Sequence, residues 1–288
     1  MRVGITLPQF RDDAEPALAV ARAAEAVGLD GVFVFDHLWP LGQPDRPALH
    51  SHVLLGALSA ETERVTLGPL VARMGLVPNA VLVHALATLH RMLGPRLLAT
   101  LGTGDAGNRA ENEAYGVGYA PAAERVAALL DCLRRLRAGG VPTWVGGRSR
   151  AVRRAALESD GWNRWGVDAA TFAAEVAAFR ELGPLRSGHA GPPLRSGHAG
   201  PPLRSVHAGP EVSWGGQVLV GRTEAEAAEK LARIGARPAL VHGTVADLTG
   251  HLAALADAGA SWAVCAPLDV GTDPETVELV AEAAAPLR

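Results

Sequence analysis

A chain of 288 residues, 48% hydrophobic and 20% charged, can bury a sizeable core as one large domain or two small ones. A formal net charge of −3 gives no electrostatic reason to bind nucleic acid or a membrane surface, and no apolar run reaches the ~18 residues of a membrane span. Cys132 and Cys265 fall outside any disulfide or metal pattern and the opening MRVGITLPQF holds no apolar leader, so a cytoplasmic protein is expected.

In chain order, Val3–Leu7 reads as a short strand ended by Pro8, and Ala14–Val27 as a helix stopped by Gly28. Gly31–Phe35 is a continuous apolar run, the pattern of a parallel strand buried on both faces, and it ends in Asp36-His37-Leu38-Trp39. A proline-rich loop leads to a helix over about Ser51–Thr62. Val65–Val71 is the third strand and Asn79–Leu93 the third helix.

Leu97–Leu101 is the fourth strand. It breaks into Gly102-Thr103-Gly104-Asp105, and a second break at Gly107-Asn108 leads to the helical ENEAYG. Asp105 and Asn108 are therefore either ligand-facing polar groups at a strand end or caps of the next helix. Ala122–Arg137 is an amphipathic helix. Pro142–Val145 is a fifth strand, followed by Gly146-Gly147-Arg148-Ser149 and a helix to Glu158. Backbone N–H groups at such a strand-to-helix turn, with Arg148 beside them, make a place for a phosphate.

Asp160–Trp165 holds a sixth strand and Ala169–Leu182 a helix. Val212–Val220 is a seventh strand, weakened by Gly215-Gly216. Helices follow over Thr223–Ile234 and Val245–Ala258, then an eighth strand, Trp262–Ala266, and a closing helix, Glu275–Ala284. Eight alternating units at this length predict a (β/α)8 TIM barrel as a single domain over 1–288. A doubly wound sheet fits less well, because no G-x-G-x-x-G follows the first strand.

Pro184–Pro210 interrupts this order with three nine-residue copies, PLRSGHAGP, PLRSGHAGP and PLRSVHAGP. Their proline and glycine content predicts an exposed expansion. His189, His198 and His207 recur every nine residues without the convergence a metal site needs, so no metal is expected.

The stretches LDGVFVFDHLW, RVTLGPLV, ATLHRMLGPRLLATLGTGD with ENEAYG, VPTWVGGRS with DGWNRWG, and WGGQVLVGRTEAEA together resemble the bacterial luciferase-like family. They are most similar to its members that use the deazaflavin coenzyme F420. The resemblance implies an oxidoreductase that moves a hydride between F420 and an unidentified small organic molecule, working as a homodimer. It implies that Asp36 contacts the coenzyme, that His37 and Trp39 line the pocket, and that Asn108 and Gly146-Gly147-Arg148-Ser149 hold the coenzyme and its phosphate. His37 and Asp105 become the groups for proton work. Asp105 is one methylene shorter than the Glu of sugar-oxidising relatives. A bulge ending the third strand is implied too, with a cis peptide at Leu70–Val71 backing the ring; Gly68–Pro69 is the rival cis position. The alternatives are an FMN-dependent monooxygenase on the same barrel and a non-catalytic flavin-binding barrel.

Overall fold

The structure is a computed structural model and describes residues 1–183 and 209–288. The repeats at Pro184–Pro210 lie almost wholly outside the described residues. Strands and helices alternate as β1 (Arg2–Thr6), α1 (Glu15–Ala26), β2 (Gly31–Val34), α2 (Ser51–Glu61), β3 (Thr66–Pro69), β4 (Ala72–Arg73), α3 (Asn79–Leu93) and β5 (Ala99–Gly102). They continue as α4 (Arg109–Ala114), α5 (Ala122–Ala138), β6 (Thr143–Gly146), α6 (Arg150–Ala156), β7 (Gly161–Trp165), α7 (Ala169–Arg180) and β8 (Glu211–Gly221). The last are α8 (Glu224–Ile234), β9 (Val241–Thr244), α9 (Val245–Asp257), β10 (Trp262–Pro267) and α10 (Glu275–Ala284).

The sheet runs β3-β2-β1-β10-β8-β7-β6-β5-β4 with parallel pairing throughout the described residues, and a parallel bridge between Leu67 and Leu97 joins its ends. β3 and β4 share one stave, so eight staves form the expected (β/α)8 barrel. One set of side chains fills the interior: Phe33, Leu70, Leu98, Trp144, Trp262 and Val264. Trp262 meets Phe33 and Trp144 edge-on, each at 5.9 Å between centroids. Each such buried side chain contributes roughly 1.5–3 kcal/mol. Gly31 makes the room: a Cβ there would lie 2.9 Å from both the Phe33 and Trp262 rings. The other strand faces pack on the helices in a second, larger core.

Four local differences from the sequence expectation have physical causes. The third strand is split, because Leu70 and Val71 bulge out between β3 and β4. The fourth strand starts two residues later and ends one later than expected, so Gly102 belongs to the ladder and pairs with Gly146. The glycines of β8 do not weaken it. A Cβ at Gly215 would strike the Trp165 indole at 2.5 Å, and one at Gly216 the Trp214 indole at 2.2 Å, so both are spaces for tryptophan. Finally, β9 was not expected. It pairs only with the far end of β8, from Val218–Val241 to Gly221–Thr244. No helix among the described residues is long and apolar enough to cross a membrane.

Candidate active site

The carboxyl ends of the strands open onto a cavity of about 1170 Å³. Of the residues singled out in the sequence, His37, Leu70, Val71, Asp105, Asn108, Gly146, Gly147, Arg148 and Ser149 line it. Asp36 and Trp39 do not. Asp36 is buried behind the wall, and Trp39 packs on Tyr115 at 5.6 Å.

The wall over β2 and β4 is a buried polar network. Gln9, wholly buried, clasps the end of β2. Its Nε2 donates to the Phe35 carbonyl at 2.7 Å and its Oε1 accepts from the Phe35 N–H at 2.6 Å. The next residue, Asp36, spends both carboxylate oxygens internally, accepting from Ser51 Oγ at 2.7 Å and from the Arg73 N–H at 2.8 Å. Its carbonyl accepts from Arg73 Nε at 2.7 Å. Asp36 thus fixes the strand that leaves the bulge.

Arg73 itself is buried, and its Nη1 pairs with Glu111 Oε2 at 2.9 Å. Glu111, wholly buried at the start of α4, also receives the Leu38 N–H and lies 3.2 Å from His37 Nδ1. Burial pushes its carboxyl up, but hydrogen bonds from His37 and Leu38 and the charge of Arg73 outweigh this and hold it below 4.5. With Glu111 ionised, Nδ1–H is the donor in that contact. Nε2 is then the imidazole nitrogen left for a ligand.

Behind the cavity floor, the Leu70–Val71 peptide is cis, as the resemblance implied. The Leu70 N–H donates to the Val34 carbonyl at 2.7 Å. The Val71 side chain rests on two glycines. A Cβ on Gly102 would lie 2.3 Å from one of its methyls, and a Cβ on Gly146 would lie 2.5 Å from the other. Val71 and Leu70 together give the cavity an apolar seat.

Asp105 and Asn108 cap the turn that follows β5 and line the cavity. Asp105 accepts from the Gly107 N–H at 2.9 Å, and Asn108 Oδ1 accepts from the Asp105 N–H at 2.8 Å, a reciprocal cap. Tyr119 donates to the Asp105 carbonyl and lies under Arg125, whose guanidinium sits 4.2 Å from the ring centroid.

The β6–α6 turn is held from below. Gly147 takes a φ of +138°, a conformation that favours glycine, and its carbonyl accepts from Trp162 Nε1 at 2.8 Å. Its N–H donates to the Asn163 carbonyl at 3.2 Å and is not open to a ligand. The N–H groups of Arg148 and Ser149 have no partner among the described residues. They, with the exposed Arg148 side chain, are the donors an anion could use, while Ser149 Oγ caps α6 through the Val152 N–H at 3.2 Å.

Sequence reasoning missed Gln9, Phe10, Arg73, Glu111 and Trp165. Phe10 stacks on Phe35 at 5.9 Å, and Phe35 meets Trp165 edge-on at 5.5 Å, giving the cavity an aromatic side. Trp165 was within reach through the DGWNRWG stretch. Glu111 had a weaker signal, a carboxylate opening ENEAYG directly after the glycine-rich loop.

Residues 1–141 match the luciferase-like monooxygenase family. An F420-dependent glucose-6-phosphate dehydrogenase of Kineococcus radiotolerans is 36% identical over 115 residues, covering 40% of this chain and 33% of that protein. The chain spans about a third of the length of the curated relatives it matches first. An F420-dependent secondary alcohol dehydrogenase in complex with an F420–acetone adduct superposes with a TM-score of 0.76 at 14% identity, over 100% of this chain and 99% of that one. The oxygenating constituent of 3,6-diketocamphane monooxygenase from Pseudomonas putida, in complex with FMN, gives 0.71 at 15%, over 99% and 98%. At these identities the structures speak for the fold alone. The family match covers the half that supplies His37, the bulge and the Asp105 loop, and the fold likeness extends the same barrel to the β6–α6 turn. Residues 1–141 thus resemble the luciferase-like monooxygenase family, and the whole chain shares the barrel of the solved structures.

Proposed function

We propose that this protein is an F420-dependent oxidoreductase that transfers a hydride between the deazaflavin and a small organic substrate. We infer, too, that it acts in the cytoplasm as one barrel unit. The observation that carries the reading is the seat itself. A valine is wedged over two glycines at the cavity floor, and His37, its Nδ1 held by Glu111, lines the same cavity with no partner for its other ring nitrogen among the described residues. Support for F420 over FMN comes from the named cofactor of the relatives matched in sequence.

The residues fit such a coenzyme on three counts. The Leu70–Val71 seat is apolar and offers a surface for a flat ring. Arg73 Nη2 is buried at the cavity wall with no partner among the described residues, so it has a donor to spare for a ring or side-chain oxygen. The Arg148 and Ser149 N–H groups and the Arg148 guanidinium suit a phosphate.

Bound F420 supplies a C5 position that accepts or donates the hydride. The chain does the rest. Val71 and Leu70 back the ring, and Asn108 shapes the loop at its edge. Gly146, Gly147, Arg148 and Ser149 form the phosphate turn, with Gly146 and Gly147 supplying its shape. His37 moves the proton through Nε2, with Glu111 holding the ring and balancing its charge when protonated. Asp105 is the second proton group, on the opposite loop and solvent-facing. Asp36 acts on the coenzyme through Arg73, and Trp39 closes the outer mouth against Tyr115. Exposed Val53 on α2 and Val81 and Met92 on α3, two helices packed on each other, support a homodimer. Sedimentation should then give twice the chain mass.

Turnover tests the reading. Alcohols, aldehydes and sugar phosphates supplied with F420 should include one that bleaches its visible absorbance, and His37→Ala should lose most of that rate. Oxygen consumption with reduced FMN, and no change in F420, would instead establish the monooxygenase. Tight F420 binding without turnover on any substrate would leave the non-catalytic barrel.

A further inference from the structure

A chain with 27 basic and 30 acidic residues places seven arginines and one carboxylate, Asp105, around this cavity. Two of the seven are neutralised. Arg73 pairs with Glu111, and Arg164 grips Glu175 through two contacts of 2.8 and 2.9 Å. The other five have no carboxylate partner among the described residues, and they fall into two groups.

Arg125 and Arg148 follow β5 and β6 on the side of the phosphate turn. Arg11 follows β1, Arg46 follows β2, and Arg237 precedes β9 at the end of β8. In the ring of staves β1 lies four places from β6 in either direction, so Arg11 and Arg148 follow opposite staves, with the Arg46 loop after β2 on one side of Arg11 and Arg237 beside β8 on the other.

Two members of the second group, Arg11 and Arg46, are held in place by neutral acceptors. Arg11 Nη2 donates to the Gly271 carbonyl at 3.3 Å and passes so close to Gly271 that a Cβ there would lie 2.8 Å from it. Arg46 donates to Gln43 Oε1 at 2.9 Å and to the Phe10 carbonyl at 3.3 Å. The loop carrying Gly271 is itself clamped. Buried Lys230 on α8 reaches Asp269 at 3.1 Å, Asp273 at 2.8 Å and the Val220 carbonyl at 2.8 Å. Carbonyl oxygens orient Arg11 and Arg46 without cancelling their charge, and exposed Arg237 adds a third positive charge to the same cavity. The cavity exceeds the usual ~300–1,000 Å³ of a single-ligand pocket, so it has room for a second molecule beside a coenzyme.

We propose that Arg11, Arg46 and Arg237 form an oxyanion-binding pole that receives the substrate, and that the substrate therefore carries a phosphate or carboxylate group away from its reacting carbon. The pole stands on the arginines alone; its assignment to the substrate rests on the coenzyme reading above.

Calorimetric titration of the full-length protein with inorganic phosphate and, separately, succinate tests it, with and without saturating F420. Phosphate or succinate should bind in both conditions, and whichever binds more tightly names the group. Arg46→Gln combined with Arg237→Gln, both at exposed positions, should weaken that binding about tenfold or more and change F420 affinity less than twofold. Arg148→Gln should do the reverse. Arg11→Gln should add to the first loss; if it fails to fold, the exposed pair still decides. Absence of anion binding, or loss limited to Arg148→Gln, would overturn the pole. If the exposed pair weakened F420 as much as phosphate, the pole would belong to the coenzyme's own anionic tail and the proposal would fail. Intact anion binding in a protein that binds no F420 would refute the coenzyme reading and the substrate assignment, leaving the pole.

Discussion

The two long walls of the mouth handle charge in opposite ways. Over β2 and β4, Asp36, Arg73 and Glu111 are buried and spend their charge on one another and on the backbone. Over β6, Arg148 stands exposed beside N–H groups that have no partner among the described residues. A buried charge network fixes shape, because each partner it loses strands a charge in low dielectric. An open cationic turn adds little to the fold and keeps its interaction energy for a ligand. On the proposed function, structure-holding and ligand-holding residues separate by wall, and substitutions on each should report on different properties.

The largest effect is expected at Glu111. Glu111→Ala strands the buried Arg73 guanidinium and should destabilise the protein by about 3–5 kcal/mol in denaturant unfolding. An unchanged midpoint would mean that this wall is not held by charge. Next come the glycines under Val71. Gly146→Ala should cost about 1–3 kcal/mol through overpacking, and Val71→Ala in the same chain should recover part of it. No recovery in the double variant would show that Val71 is not what Gly146 makes room for.

Acid should separate the walls as well. The folded Glu111 carboxyl lies below its usual value, so its contribution is complete at neutral pH and is lost as pH falls below 4.5 through the folded value. Stability of the wild type should drop more steeply there than that of Glu111→Gln. Parallel pH curves would place the acid sensitivity elsewhere. The smallest effect on stability is expected at Arg148. Arg148→Ala should shift unfolding by no more than about 0.5 kcal/mol, yet weaken F420 about ten- to a hundredfold. A fragment of the coenzyme lacking phosphate should bind as before.

How much of this was legible in the sequence follows the same division. The β6–α6 turn was readable because everything it needs is local: a strand, two glycines, an arginine and a helix start within a few residues. The barrel was readable because continuous apolar runs alternate with amphipathic ones. The buried network was not, since it joins residues 9, 36, 73 and 111 through long-range contacts, and a Glu in ENEAYG looks like any solvated helix face. Asp36 illustrates the limit. Its position after β2 pointed to the mouth, but the Ser51 hydroxyl and the Arg73 N–H turn its carboxylate inward. β9 carried no apolar run, because only the end of β8 calls on it for pairing.

The coenzyme itself is the central claim, and parallel fluorescence titration with F420 and FMN tests it most directly. F420 should quench with saturable binding at least tenfold tighter than FMN, and Arg148→Ala should erase most of the difference that the phosphate turn makes. Tighter binding of FMN, or no saturable binding of F420, would contradict it.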